Sequence, residues 1–374
     1  MTSRPELTQP KRNTTTRKAR YGRKVIAEIL GGLNRWKPLT DPKPGYSIVL
    51  GTPWALRHLL PVNLKFIQRT DRTNLHRIHV VFDRTPQSGG DAFIEQIRDE
   101  FADLPLTFRF YPPLSGWITE RVSVSTFFNS MNTILALGEC ETGFAILHDF
   151  DLYPLVPEYF EALYRAHLER DLHFVGLEHT PFDGLTKDDN ILGTWALGID
   201  VVHLRANHRP GECFHTVAPV NGQLISLDPY SYVQLQTPRR GLVETIDGSA
   251  CCHVKNLCST YLRFTTGRWA KIAWRLHYVW YLETLIGKYE NFHAAHRAMD
   301  AAEDSLLTVN DYEVDFAGTD PTCANVLRDE VTRMEEALTG TCRPEVVEYA
   351  DAFKRFLMRV AQRETTAVPE SVLT

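Results

Sequence analysis

The sequence predicts an α/β fold, a mostly parallel sheet flanked by helices with a helical C-terminal appendage, and three observations carry it. From Tyr46 to about Leu262 short apolar runs alternate with amphipathic stretches, the order that builds a parallel sheet covered on both faces. After about Arg263 the alternation stops and helical periodicity takes over. A chain of 374 residues, 43% hydrophobic and 11% aromatic, has ample material for a core. These observations divide it into a disordered basic tail over 1–24, an α/β domain over 25–262 and a helical region over 263–374.

The first 24 residues carry eight Lys or Arg against one Glu and almost no large apolar side chain, so they cannot support a core. They read as a solvated leader, or as a weak contact for anionic lipid or polyanion. "YSIVLGT" reads as a buried strand, "WALRHLLPVNLKFIQRT" as mainly helix despite Pro61, "RIHVVFD" as a second strand and "DAFIEQIRDEF" as a second helix. "LTFRFYP" makes a third strand. "VSVSTFFNSMNTILALGE" has helical spacing with Ser and Thr near its start, and "GFAILHDFDLYP" follows as the fourth strand.

That fourth strand ends in Asp149 and Asp151. In open α/β sheets ligands bind outside the carboxyl ends of the strands. On an extended segment residues i and i+2 face one side, so both carboxylates can meet one ion while Phe150 turns back into the fold. Two oxygen ligands suit a hard cation, Mn²⁺ or Mg²⁺, with a diphosphate as the natural third party. The alternative is a pair of strand-end carboxylates that cap a turn.

With this motif in place the chain resembles the GT-A class of nucleotide-sugar glycosyltransferases, over Tyr46 to about Val254. The resemblance implies that 25–262 is a GT-A catalytic domain and that the D-x-D pair binds the metal and the diphosphate of a nucleotide-sugar donor. "YSIVLGT", ending at Thr52, looks like the first strand of these enzymes. Asp83 takes the place of the acidic residue that meets the nucleoside, and Thr52, Asp83, Arg121 and Asp149 are the nucleotide-binding candidates. Arg121 is placed at the start of the helix before the D-x-D strand, as a diphosphate partner through its fork of donors. On that helix, Asn129 and Asn132 face the nucleotide or merely cap and lie at the surface.

A second constellation, "SLDPYSYVQLQTPRRGLVETIDGSACCHV", is similar to the C-terminal half of the site in inverting members. There Asp228 matches the general base at a helix start, Arg240-Gly241 the helix end and His253 the closing His of the metal shell. The logic also stands without the family, because an attacking hydroxyl must lose its proton and a nearby carboxylate can take it. Asp228 is equally a good N-cap ahead of Pro229, and His253 could be a core or surface histidine. Leu227 departs from the second acidic residue that many inverting members carry, which leaves the base and the stereochemistry open. Between the constellations, Gly193-Thr194 resembles the loop that lines the donor sugar, and Trp195 either stacks on a sugar or belongs to the core. "KDDN" at Lys187–Asn190 could add ligands or be a solvated acidic run.

Other classes are excluded or rank lower. The net charge of −5 makes no electrostatic case for nucleic acid. Seven cysteines without framework spacing fit a reducing compartment, and the N-terminus lacks the apolar run of a signal peptide, so the expected location is cytoplasmic. Cys251-Cys252-His253 with Cys258 is poorly spaced for zinc. Arg268, Lys271 and Arg275 beside Trp269, Trp274 and Trp280 suggest a peripheral membrane contact or an acceptor groove, unless these aromatics pack onto the α/β domain. A haloacid-dehalogenase-type phosphotransferase would carry D-x-D on its first strand, whereas three strands precede it here. A non-catalytic carbohydrate- or partner-binding protein with a transferase fold remains the alternative. The expected activity is that of a metal-dependent, hexosyl-transferring and inverting glycosyltransferase. Its acceptor, whether glycan, lipid-linked or protein, is left open.

Overall fold

The computed structural model describes residues 14–122, 124–180, 191–220, 223–265, 272–310 and 312–367. Its strands in chain order are β1 (Lys43–Thr52), β2 (Leu75–Phe82), β3 (Leu106–Phe110), β4 (Thr142–His148), β5 (Leu152–Pro154), β6 (Phe174–Gly176), β7 (Ala196–Asp200), β8 (Thr216–Val220), β9 (Gln223–Leu227), β10 (Arg240–Leu242), β11 (Cys251–His253), β12 (Leu306–Val309) and β13 (Tyr312–Asp315). Seven of them form one sheet in the order β10-β6-β7-β4-β1-β2-β3. Only β7 runs against the common direction, antiparallel to both β4 and β6, so the expected mostly parallel α/β fold is present.

The sheet is buried on both sides because its strands are apolar at successive positions. Along β1, Ile48 and Leu50 enter one core while Val49 enters the other with Phe127 and Met131, as the period of two requires. The helix expected after β1 is a 3₁₀ turn over Trp54–Leu59 followed by an α-helix over Leu60–Gln68. Pro61 sits in the first turn of that helix, where its missing N–H would have had no partner. Ser125–Glu139 is helical as expected, but its N-cap position is Val124 and no side chain caps it.

Two differences have local causes. Helical structure begins at Thr14 and runs to Leu33, reaching into the segment expected to be tail. What holds it is apolar contact: Ala27 and Leu30 are buried, and Gly31 lies so close to the 3₁₀ turn Pro210–Cys213 that a Cβ there would collide with the Gly211 backbone. Residues 1–13 lie outside the described residues. In the C-terminal region, β12 and β13 form an antiparallel hairpin among the helices Leu276–Thr284, Glu290–Ala301, Thr322–Thr339 and Pro344–Ala367.

The C-terminal helices share one core with the sheet. Ile48 and Phe66 belong to the same buried cluster as Tyr278, Trp280 and Phe353, and His58 Nε2 lies 3.2 Å from Glu283 Oε1 while Lys65 Nζ donates to the Leu285 carbonyl at 2.9 Å. Trp274 and Trp280 are buried, whereas Arg268, Trp269 and Lys271 lie outside the described residues. Truncation after Arg263 would bare a large apolar surface. The expected product is insoluble, and a soluble monomeric peak in size-exclusion chromatography would contradict the shared core.

Candidate active site

The chain builds β1, β2 and β3 in one direction across the sheet and then returns to set β4 on the other side of β1. Parallel neighbours whose connections diverge leave a crevice at their carboxyl ends. His148, the last residue of β4, is in register with Leu50 of β1 and Ala196 of β7. Asp149 therefore stands at the mouth of that crevice, its backbone N–H donating to the Trp195 carbonyl at 3.1 Å.

The two carboxylates converge by a turn and not by strand alternation, which corrects the extended geometry expected from the sequence. The strand ends at His148, and Leu152 N–H closes back on the Asp149 carbonyl at 3.1 Å. Phe150 does turn into the core. Its carbonyl accepts from Asn63 Nδ2 at 2.9 Å, and Asn63 is fully buried. Just beyond the turn β5 pairs with β11, placing His253 opposite Leu152.

Each carboxylate has one oxygen held and one turned toward His253. Asp149 Oδ1 accepts from Asn129 Nδ2 at 3.3 Å, while its Oδ2 lies 3.8 Å from His253 Nε2. Asp151 Oδ2 accepts the Leu257 backbone N–H at 3.0 Å, at the start of the helix Leu257–Thr265, and its Oδ1 lies 3.6 Å from His253 Nε2. One ligand atom from each residue falls within 4.8 Å of the others. Two carboxylate oxygens and an imidazole nitrogen are a donor set that suits Mn²⁺ and is compatible with Mg²⁺.

The packing around His253 fixes its ring. Trp195 stacks on it with centroids 4.9 Å apart and planes 26° apart. Trp195 Nε1 donates to Glu178 Oε1 at 2.9 Å, and Lys255 Nζ lies 3.8 Å from the same oxygen. A Cβ on Gly193 would sit 2.8 Å from Trp195 Nε1, so that position takes no side chain without moving the indole. One face of Trp195 is thus covered by His253, and Gly193 backs the ring, while Thr194 and Trp195 line the crevice.

Burial, and then repulsion from Asp151, push the Asp149 carboxyl well above the usual carboxylate range. Burial alone would lower His253, but Asp151 and then Asp149 outweigh it and raise the imidazole. Buried His148, beside His253, falls to about 3 and is neutral. Without a cation, Asp149 and His253 therefore both hold their protons more tightly than usual, and a divalent cation would displace them.

The crevice has a volume of about 430 Å³. Asp83, Asn129, Asn132 and Asp228 join the triad in lining it. Asp83 accepts the Trp54 backbone N–H at 2.8 Å, and burial raises its carboxyl to about 6. The Asn132 side-chain oxygen is buried without a partner. Thr52 is not in the lining; its hydroxyl is buried without a partner, and Gly51 and Pro53 meet the space on either side of it. Arg121 ends the preceding helix, Pro113–Val122, instead of starting the next one, and lies exposed over Trp117 at 5.1 Å, outside the lining. Lys187–Asn190 lie outside the described residues.

Asp228 reaches the same crevice from the loop after β9, with its side chain 48% exposed and 3.8 Å from His215 Nδ1. It is not the expected N-cap. Tyr230, at φ 64°, redirects the chain, the helix starts at Ser231, and no side chain caps it. Only the Asp228 backbone carbonyl serves the turn, accepting from Ser231 N–H at 3.1 Å. Arg240 and Gly241, expected at a helix end, lie in β10 beside β6. Asn63, Glu178 and Lys255 were not legible as site residues; a lone Asn in an apolar helical run is the one signal that could have marked Asn63.

No protein-family model matches the chain, and no curated protein matches it in sequence. Among solved structures it is similar to residues 1–349 of TarS from S. aureus, at 12% identity over 86% of this chain and 92% of that one, with a TM-score of 0.38. It is similar as well to the mannosyltransferase PcManGT from Pyrobaculum calidifontis, solved in complex with GDP-Man and Mn²⁺, at 14% identity over 95% and 98% of the two chains, with a TM-score of 0.40. A third is the bifunctional glycosyltransferase WbbM, at 11% identity over 56% of this chain and 40% of that one, with a TM-score of 0.37. At overlaps this loose, the sheet order and strand directions are what define the fold.

Proposed function

We propose that the protein is a metal-dependent glycosyltransferase of the GT-A type that moves a hexosyl group from a nucleotide sugar to an acceptor hydroxyl, with inversion. The observation that carries this reading is the convergence of the unheld oxygens of Asp149 and Asp151 with His253 Nε2 at the mouth of the crevice between β1 and β4. When bound there, Mn²⁺ or Mg²⁺ supplies Lewis-acid neutralisation of the charge that grows on the leaving diphosphate.

The chain's own residues divide the remaining work. Asn129 and the Leu257 N–H hold one oxygen of each carboxylate and so aim the other, a second layer of contacts that fixes ligand orientation. Asp83, anchored on the Trp54 N–H, faces the nucleoside, and Asn132 offers it a further polar partner. Thr194 and Trp195, which line the crevice, border the sugar. Asp228 takes the proton from the acceptor oxygen as that oxygen bonds to the sugar carbon and the bond to diphosphate breaks.

Release of nucleoside diphosphate from a panel of nucleotide sugars, with Mn²⁺, with Mg²⁺ and with chelator, tests the reading. At least one donor is expected to be hydrolysed slowly in a metal-dependent way. Absence of both turnover and calorimetric binding across the panel would overturn it.

The triad also sets a pH dependence. Protons on Asp149 and His253, both raised from their ordinary values, compete with the cation. Metal affinity should accordingly climb as pH rises through neutrality, by roughly tenfold per pH unit for each proton displaced. Calorimetry in buffers of different ionisation enthalpy would register that proton release, and a pH-independent affinity would contradict the assigned ligands.

A further inference from the structure

The helix Thr14–Leu33 has two unlike faces. Ala27, Leu30 and Gly31 are buried toward the protein. Val25, Ile29 and Leu33, at four-residue spacing, form a stripe on the opposite side, each 42% to 49% exposed. A neighbouring helix, Pro113–Val122, packs beside it through the 3.0 Å bond from Asn34 Nδ2 to Ser115 Oγ, and leaves Leu114 and Trp117 54% and 56% exposed. These five account for most of the large apolar side chains exposed among the described residues. Single exposed apolar residues are ordinary, but a concentration on two adjoining helices marks an interaction surface.

The charge around this face is opposite to that of the chain as a whole. Arg23 and Lys24 are exposed at the N-terminal end of the stripe and Arg35 and Lys37 just past its C-terminal end, and none of them pairs with a described carboxylate. Arg121 covers Trp117. Of the nearby acids, Glu28 is 3.6 Å from Arg209 and Glu120 is exposed. In sequence, the first 24 residues carry eight Lys or Arg, Arg23 and Lys24 among them, against one Glu.

We propose that this face docks on an anionic lipid bilayer, with the helix Thr14–Leu33 lying in the plane of the interface. Val25, Ile29, Leu33, Leu114 and Trp117 enter the boundary between headgroups and acyl chains, and the flanking cations meet lipid phosphates. A second copy of the chain fits the same face poorly, because a two-fold contact would set the unpaired cations against themselves. The inference is independent of the transferase reading, and none of the five apolar residues lines the crevice.

Cosedimentation of the full chain with vesicles of phosphatidylcholine, with and without one-third phosphatidylglycerol, tests it. Partitioning onto the anionic vesicles is expected to exceed that onto neutral ones by roughly tenfold or more. Ile29→Asp combined with Trp117→Asp should lower it at least about tenfold, with the circular-dichroism melt unchanged because both side chains are exposed. Arg23→Gln with Lys24→Gln, which leaves the apolar stripe intact, should remove most of the preference for anionic lipid. Failure to bind anionic vesicles, or binding indifferent to both variant pairs, would overturn the proposal. So would a micromolar dimer in analytical ultracentrifugation that Ile29→Asp dissociates, since a second copy would then cover the face.

Discussion

Asp151→Asn is expected to abolish metal-dependent nucleotide-sugar binding while leaving the fold intact. The substitution separates two duties that the structure gives to one side chain. Asp151 is only 7% exposed and its Oδ2 receives the Leu257 N–H, so alanine would strip that donor of its carboxylate and leave it only the Val254 carbonyl at 3.2 Å. Asparagine keeps an acceptor for that N–H and turns a weak, uncharged group toward the cation. The affinity lost should exceed the roughly 10- to 100-fold that follows removal of an outer-shell partner. Calorimetric titration with Mn²⁺ and the donor, beside a thermal melt, reads both halves. Unchanged donor affinity in the presence of Mn²⁺ would remove Asp151 from the metal site.

Asp228→Asn should give the opposite signature. The residue lines the crevice from the loop after β9, touches neither Asp149 nor Asp151 through any described bond, and caps no helix, so donor and metal affinity should stay near wild type. Turnover should fall by the roughly 10²- to 10⁴-fold that losing a positioned base costs. His253→Ala supplies the contrast, because it should weaken metal binding first and be partly rescued by excess Mn²⁺. Wild-type turnover in Asp228→Asn, with the anomeric configuration of the product retained by NMR, would refute Asp228 as the base of an inverting reaction.

Much of the fold was legible because its periodicities are local. β1 to β4 and the helices between them are written as apolar runs and amphipathic stretches that need no long-range partner to be recognised. What escaped depends on contacts between distant segments. Helix formation from Thr14 follows from the seat that Pro210–Cys213 offers Gly31, nearly two hundred residues downstream, and no composition rule foresees it. At the site, Asp149, Asp151 and His253 were readable as chemistry, and the structure brings their ligand atoms together. The two carboxylates converge through a turn after His148 and not through strand alternation. The place of Arg121 at the end of Pro113–Val122 and the burial of the Thr52 hydroxyl escaped for a similar reason: where one helix ends and which way a strand-end side chain turns are decided by packing, to which a single sequence is nearly blind.

The division of labour within the Asp151 carboxylate has a mechanical side. A cation shared by Asp149, Asp151 and His253 would fasten together stretches of chain roughly a hundred residues apart, and Asp151 is at the same time pinned to the first turn of the helix Leu257–Thr265. Such a clasp restrains local opening as well as binding substrate, since a ligand held only by the closed form raises its stability in proportion to the logarithm of ligand concentration. Chelation should then loosen the segment from β11 through Leu257–Thr265 before it disturbs the sheet, and backbone amides there would exchange with solvent sooner than those of β1 or β4.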